Sequence, residues 1–199
     1  MNKLAAAVLA LVPALALAAP TTWSVDASHS RVGFAVKHLV ISTVRGEFSK
    51  FQGKVTLDDA DVTRSTVEAT VDASSIDTKV ADRDGHLRSP DFFDTTRHPA
   101  VTFRSTKVTA AGKDALQVAG DLTLRGVTRP VVFAVTTSAE VKGMSGETRR
   151  AFAGKTVINR KDFGLAWNKA IEAGPVVSDE VTIELELEVV KDAVRTSSR

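Results

Sequence analysis

The chain has no cysteine among its 199 residues. This excludes a lipidated N-terminal Cys, a c-type haem attachment, thiol catalysis and a Cys-based zinc site. It also excludes disulfides, so any core must hold without covalent staples even if the protein is exported. No long block of one charge is present: 26 Lys and Arg stand against 24 Asp and Glu, for a formal charge of +2. So even a balance argues against nucleic acid as the main partner. The apolar run from Leu4 to Leu17 is shorter than the ~20 residues of a membrane helix and is interrupted by Pro13. There is no internal repeat and no low-complexity linker, so a second domain has no support.

What is present begins with that N-terminal run. Lys3 supplies a charged n-region, Leu4 to Leu17 an apolar h-region, and Ala14-Leu15-Ala16-Leu17-Ala18 the small residues of a cleavage site. The pattern predicts a secretory signal over residues 1–18, cut after Ala18 or Ala19. Loss of Lys3 takes the formal charge from +2 to +1. The remainder, about 180 residues, suits one domain with a real core. That domain is expected over 22–191, followed by a disordered tail at 192–199.

Strand-like alternation fills the mature chain. In Val181-Thr182-Ile183-Glu184-Leu185-Glu186-Leu187-Glu188-Val189 every odd position is apolar and every even one polar, which leaves one dry face and one wet face. The same period recurs at Val32/Phe34/Val36, Val67/Ala69/Val71, Val101/Phe103, Val118/Leu122/Leu124, Val131/Phe133/Val135 and Phe152/Thr156/Ile158. With a stretch from Val44 to Leu57, whose phase changes near Ser49 and Lys50 as at a bulge, this makes about eight strands. Short connectors favour antiparallel neighbours. A closed barrel and a sandwich both fit. Ala69, Gly120 and Gly154 fall where bulk would otherwise fill a small barrel, which favours a barrel with room for an apolar guest.

The segment from Ser75 to His98 breaks the alternation and gathers Asp77, Asp82, Asp84, Asp91 and Asp94 with His86 and His98. Asp82, Asp84 and His86 alternate by two, which on a helix spreads them apart and argues against a metal site. The calcium-loop and His-x-x-x-His spacings are missing. A helical insertion at about residues 78–94 is expected, capped by Ser74 or Asp77, with Ser89-Pro90 starting a second short turn and Asp84 paired with Arg88. A carboxylate pair for glycoside hydrolysis carries little signal, and Gly143-Met144-Ser145-Gly146 lacks the nucleophile elbow. His38 shares a strand face with Val32, Phe34 and Val36, which suits a polar anchor or a rim position, without an evident acid/base partner. Phe92-Phe93 and Phe163-Gly164-Leu165-Ala166-Trp167 suit a barrel plug or the gate of an apolar ligand.

Four stretches resemble one family: "HSRVGFAVKHLVISTVRGEFSKFQG" (His29 to Gly53), "SSIDTKVADRDGHLRSPDFFDTTRHPAVTFRS" (Ser74 to Ser105), "VAGDLTLRGVTRPVVF" (Val118 to Phe133) and "INRKDFGLAWN" (Ile158 to Asn168). In order, they are similar to the YceI-like, or polyisoprenoid-binding, family across Thr22 to Lys191. The resemblance implies an all-β, eight-stranded antiparallel lipocalin-like barrel, periplasmic and non-catalytic. Its lumen would hold a polyisoprenoid, an isoprenoid quinone or another long-chain amphiphilic lipid as ligand, with no other cofactor and no metal. His29, His38, Asp77, Arg83, Asp84, His86, Leu87 and Phe93 fall on its motif positions, with Asp77, Arg83, Asp84 and His86 in structural roles. The lumen is then expected to be lined by Phe34, Val36, Val67, Ala69, Val71, Phe103, Leu122, Phe133, Ile183 and Leu185. His38, Phe92, Phe93, Phe163 and Trp167 would stand at the mouth. Transient membrane contact and a homodimer are open partners. A hydrolase or isomerase on a lipid-like substrate, and a stress-protective interaction protein without a ligand, are the alternatives. For the signal segment, the intact mass of the exported protein is expected to correspond to a chain starting at Ala19 or Pro20; an uncut precursor would contradict it.

Overall fold

The computed structural model describes residues 19–168, 170–171 and 174–193. The expected signal segment and residues 194–199 of the expected tail lie outside the described residues. Asp192, where that tail was expected to start, is held: its backbone N–H donates to the Thr22 carbonyl at 2.8 Å, and its carboxylate accepts from Ser24 at 2.8 Å.

The strands in chain order are β1 (Thr21–Val25), β2 (Arg31–His38), β3 (Ser42–Phe48), β4 (Phe51–Leu57), β5 (Thr66–Asp72), β6 (Ile76–Asp77), β7 (Ala100–Gly112), β8 (Ala115–Leu124), β9 (Val127–Thr137), β10 (Val141–Lys142), β11 (Thr148–Asn159), β12 (Ala170–Ile171), β13 (Gly174–Pro175) and β14 (Val177–Lys191). One helix, α1 (Ala81–Arg88), lies between β6 and β7. Eight strands close a ring in the order β1-β4-β5-β7-β8-β9-β11-β14, every pairing antiparallel. The expected antiparallel barrel is therefore the fold, and the sandwich is excluded.

Closure falls to β14. Along one side it pairs with β11 from Arg149↔Val190 to Asn159↔Glu180. Along the other it meets β1 at Trp23↔Lys191 and then β2 from Arg31↔Glu186 to Val36↔Val181. Its alternation sets its faces: Val181, Ile183, Leu185 and Leu187 line the interior, while the glutamates between them point out. β1 and β2 are one long strand broken at Asp26–Ser30, and β3 and β4 are its partner, broken at Ser49–Lys50. At that second break the expected phase change occurs as an interruption between two strands. Asp72 N–H donates to the Lys50 carbonyl at 2.9 Å and Ser49 N–H to the Ser75 carbonyl at 3.2 Å, so Phe48 and Phe51 can both face inward.

Each end of the barrel is packed. At one, Trp23 and Val189 have no exposed surface and join Val55, Leu57 and Phe152, with Lys191 and Arg150 over the indole at 5.1 and 5.8 Å. At the other, Phe92, Leu122, Leu124, Ile158, Phe163 and Leu165 form a buried cluster.

The break at Asp26–Ser30 is tied to β11 and β14 by charge. Asp26 caps the 3-10 turn Ala27–His29 by accepting from Ser28 N–H at 3.0 Å, and its carboxylate meets His29 at 2.9 Å and Arg149 at 2.8 Å. The hydrogen bonds to His29 and then Arg149 hold its pKa down at about 2. A carboxylate depressed in the folded state stabilises it above the unfolded pKa of about 3.8 and loses that contribution as pH falls through about 2. The stability difference between the wild type and Asp26→Asn, measured by denaturant midpoints, is expected to shrink steadily between pH 4 and pH 2. A difference independent of pH over that interval would contradict this assignment.

Candidate functional site: an apolar lumen

The barrel is hollow. A cavity of about 260 Å³ runs within it, far beyond the ~10–15 Å³ that admits one water. Phe34 and Val36 from β2, Val67, Ala69 and Val71 from β5, Phe103 from β7, Leu122 from β8, Phe133 from β9, and Ile183 and Leu185 from β14 all line it. Every one of the ten expected lumen residues is therefore brought to one wall. Several, such as Phe34, Ile183 and Leu185, keep partial accessibility although they point inward; the surface they retain is that of the cavity.

The space comes from small residues at paired positions. Gly53 stands opposite Ala69, and Ala69 opposite Phe103. Gly154 faces Leu185 and Val135 across its two neighbours. Gly120 works differently from the expectation: a Cβ there would lie 2.5 Å from the Arg104 carbonyl oxygen and 2.5 Å from the Phe103 ring. Its missing side chain admits the ring of Phe103, whose centroid is 5.3 Å from that of Phe133 in an edge-on contact. Gly53, Ala69 and Gly154 line the cavity, and Gly120 does not.

The helical insertion closes over one end. Leu87, Phe92 and Phe93 all reach the cavity wall, and ring contacts pass from Phe93 to Phe48 at 5.8 Å and on to Phe34 at 5.9 Å. Three expected mouth residues do not line the cavity. His38 ends β2 opposite Ser42 and Val177, two residues past the wall at Val36. Phe163 is buried within the plug cluster. Trp167 packs on the outside of that plug, 5.1 Å from Phe92 and 4.8 Å from His86 between ring centroids. All three lie at the barrel end, where strand periodicity no longer states which way a side chain faces.

The polar cluster from Ser75 to His98 is a clamp built on Thr78, which is 5% exposed. Asp84 accepts from Thr78 N–H at 2.9 Å and from its hydroxyl at 2.5 Å. Arg83 donates to the Thr78 hydroxyl at 2.7 Å and to its carbonyl at 2.8 Å. Asp77 accepts from Lys79 N–H at 2.7 Å, and His86 meets Asp91 at 2.9 Å. Two expectations are corrected by this geometry. Neither Ser74 nor Asp77 caps α1: its N-cap position is Val80, with no side-chain cap. Asp84 does not pair with Arg88, because it is buried and turned back to Thr78, whereas Arg88 donates to the carbonyls of Ser74 and Ile76 at 2.8 and 2.9 Å. The turn opened by Ser89 does form, with Phe92 N–H donating to the Ser89 carbonyl at 3.0 Å.

Among the described residues, one group could bring three metal-ligating atoms together, and it lies elsewhere: Asp26, His29 and Glu188. The Arg149 guanidinium already bridges Asp26 and Glu188 and supplies the positive charge there.

Two arginines that the sequence reading passed over fix the plug. Arg160 is 3% exposed and lines the cavity. It donates to the carbonyls of Ser178 at 2.9 Å, Trp167 at 2.8 Å and Leu165, and pairs with Asp179 at 3.1 Å. Burial pushes its pKa down and the Asp179 charge partly restores it. Arg125 joins the plug to the insertion through the carbonyls of Gly164 and Pro90. Both fall within the quoted family stretches, but no periodicity there tells either from a surface arginine.

A family model described as the YceI-like domain matches residues 23–189. The chain belongs to the YceI-like family. A UPF0312 protein of Ectopseudomonas mendocina is 38% identical over 192 residues, 96% of this chain and 98% of that one. Among solved structures, the crystal structure of Burkholderia cenocepacia BcnA matches with a TM-score of 0.74 at 27% identity, covering 82% of this chain and 98% of that one. A polyisoprenoid binding domain from Saccharophagus degradans matches with a TM-score of 0.63 at 19% identity, covering 86% of this chain and 99% of that one, and so shares the fold.

Replacing Arg160 with Met is expected to lower stability by about 2–3 kcal/mol, since buried carbonyls lose their donor. The neighbouring Lys161→Met, which removes an exposed pair, should cost at most about 1 kcal/mol. Urea denaturation of both variants checks the contrast.

Proposed function

We propose that this YceI-like protein is a non-catalytic carrier of a long-chain isoprenoid lipid, a polyisoprenoid or an isoprenoid quinone, acting in the periplasm. The observation that carries the reading is the hollow lumen, whose wall is apolar side chains from every part of the ring. Such a wall binds without direction. Each Å² of hydrocarbon taken from water is worth roughly 25 cal/mol, so a prenyl chain gains along its whole length and selection is by length and cross-section. Among the described residues Arg160 is the one charged residue on the wall, and its donors are held by carbonyls and by Asp179. Among the described residues that leaves no free acid/base pair against a guest in the lumen, which supports binding over the hydrolase or isomerase reading. A core used only for stability would be packed solid, and the cavity weighs against the ligand-free alternative. A protein of the same fold carries the description polyisoprenoid binding domain; the reading here rests on this chain's own lumen.

Titration with a fluorescent prenyl probe tests it. Ala69→Phe puts a ring into the guest space and is expected to weaken uptake by about tenfold or more, the equivalent of two or so buried methylenes, with the circular dichroism spectrum unchanged. Equal uptake by Ala69→Phe and wild type, or none by the wild type, would overturn the proposal.

A further inference from the structure

The hairpin joining β2 to β3 ends in three apolar residues, Leu39-Val40-Ile41. Val40 is 68% exposed and Ile41 82% exposed. Ile41 N–H donates back to the His38 carbonyl at 3.2 Å, closing a two-residue turn in which Leu39 has φ 52° and Val40 φ 64°. Turns of this shape are ordinarily made by Asn-Gly or Asp-Gly, because both central residues need positive φ. A β-branched valine there is an outlier. Folding alone therefore gives no reason for this choice of residues. Water disfavours it as well, since it keeps two large apolar side chains wet.

The surroundings identify what the tip meets. Lys37 and Arg45 lie on the outward faces of β2 and β3, two positions before Leu39 and four after Ile41, and both are exposed. The next outward acid along β3, Glu47, is engaged by Arg31 at 3.2 Å and Lys79 at 3.0 Å. Two cations without an ion-pair partner among the described residues, below an apolar tip, match a surface that is apolar inside and anionic at its face. The tip also adjoins the lumen: Val36 and Val177 are on the cavity wall, and Val177 pairs with His38 while Leu39 N–H donates to the Val176 carbonyl at 3.0 Å.

We propose that the Leu39–Ile41 tip, with Lys37 and Arg45 behind it, docks this protein on an anionic lipid bilayer. Val40 and Ile41 enter the acyl boundary and the two cations meet lipid phosphates, which sets the adjoining end of the lumen against the membrane. The inference rests on the carrier reading for its purpose, yet docking is measurable without any guest.

The absence of cysteine supplies the experiment. Ile41→Cys is labelled with an environment-sensitive fluorophore, with Met144→Cys, fully exposed beside the start of β11 at the opposite end, as control. Vesicles of phosphatidylglycerol and phosphatidylethanolamine, free of prenyl lipid, are added. The label at 41 should shift to the blue and that at 144 should not. In co-sedimentation, Val40→Ser with Ile41→Ser should bind these vesicles about tenfold or more weakly, and Lys37→Glu with Arg45→Glu should lose the preference for anionic over phosphatidylcholine vesicles. No binding by the wild type, equal binding by the Val40→Ser/Ile41→Ser variant, or a dimer that needs the tip in the absence of vesicles would overturn the docking proposal. Ala69→Phe should dock as the wild type does; a wild type that docks normally but takes up no prenyl probe would sink the carrier reading alone.

Discussion

The double pairing of β14 is the contact on which the structure depends. Its residues bond to β11 on one side and to β1 and β2 on the other, and this turns a meander into a ring. Once the ring is closed each of its eight strands has a neighbour on both sides, which removes much of the edge that could pair with another chain. The interior is then free of any hydrogen-bonding duty and can be apolar throughout. It can also be left partly empty, because a ring of eight strands holds its shape by its ladder and its packed ends.

Those ends differ in chemistry, and the difference assigns their roles. The Trp23 end is sealed by side chains buried completely and roofed by Arg150 and Lys191. The other is closed by added pieces, the α1 insertion and the 160–168 loop, fastened to the ring by arginines that donate to backbone carbonyls: Arg88, Arg125 and Arg160. Closing an end with inserted segments instead of ring residues costs order, and a guanidinium with several donors is suited to fixing irregular backbone. The aromatic contacts from Phe93 through Phe48 to Phe34 join those pieces to the guest space.

Much of this was legible in the sequence, for physical reasons that also explain the failures. Period-two alternation named the inward residues of β2, β5, β9 and β14 correctly, because a strand with one dry face has only one way to present it. The conflict of phase at Ser49 and Lys50 was readable for the same reason. Barrel against sandwich was undecided by alternation, since both use strands dry on one face; the small residues at Ala69, Gly120 and Gly154 favoured the barrel, and the resemblance to the YceI-like family pointed the same way. Local reasoning failed where a distant partner won. Asp77 and Ser74 are good capping residues, but the helix start is organised by Asp84 reaching back to Thr78. Gly120 looked like space for a guest and is space for Phe103. His38 is the last residue of β2, Phe163 and Trp167 sit beyond the regular strands, and Arg160 is buried by a loop whose path no periodicity describes.

A lumen of this kind makes one demand that its wall can be held to. An apolar cavity gains little from water, and a protein that carries hydrocarbon in it should retain some through purification. The most direct measurement is organic extraction of the protein purified after expression in a bacterium, followed by mass spectrometry of the extract against the Ala69→Phe variant handled identically. The account predicts a prenyl lipid recovered with the wild type and depleted from the variant. Repeated recovery of an empty wild-type barrel that takes up no prenyl lipid when supplied would contradict it.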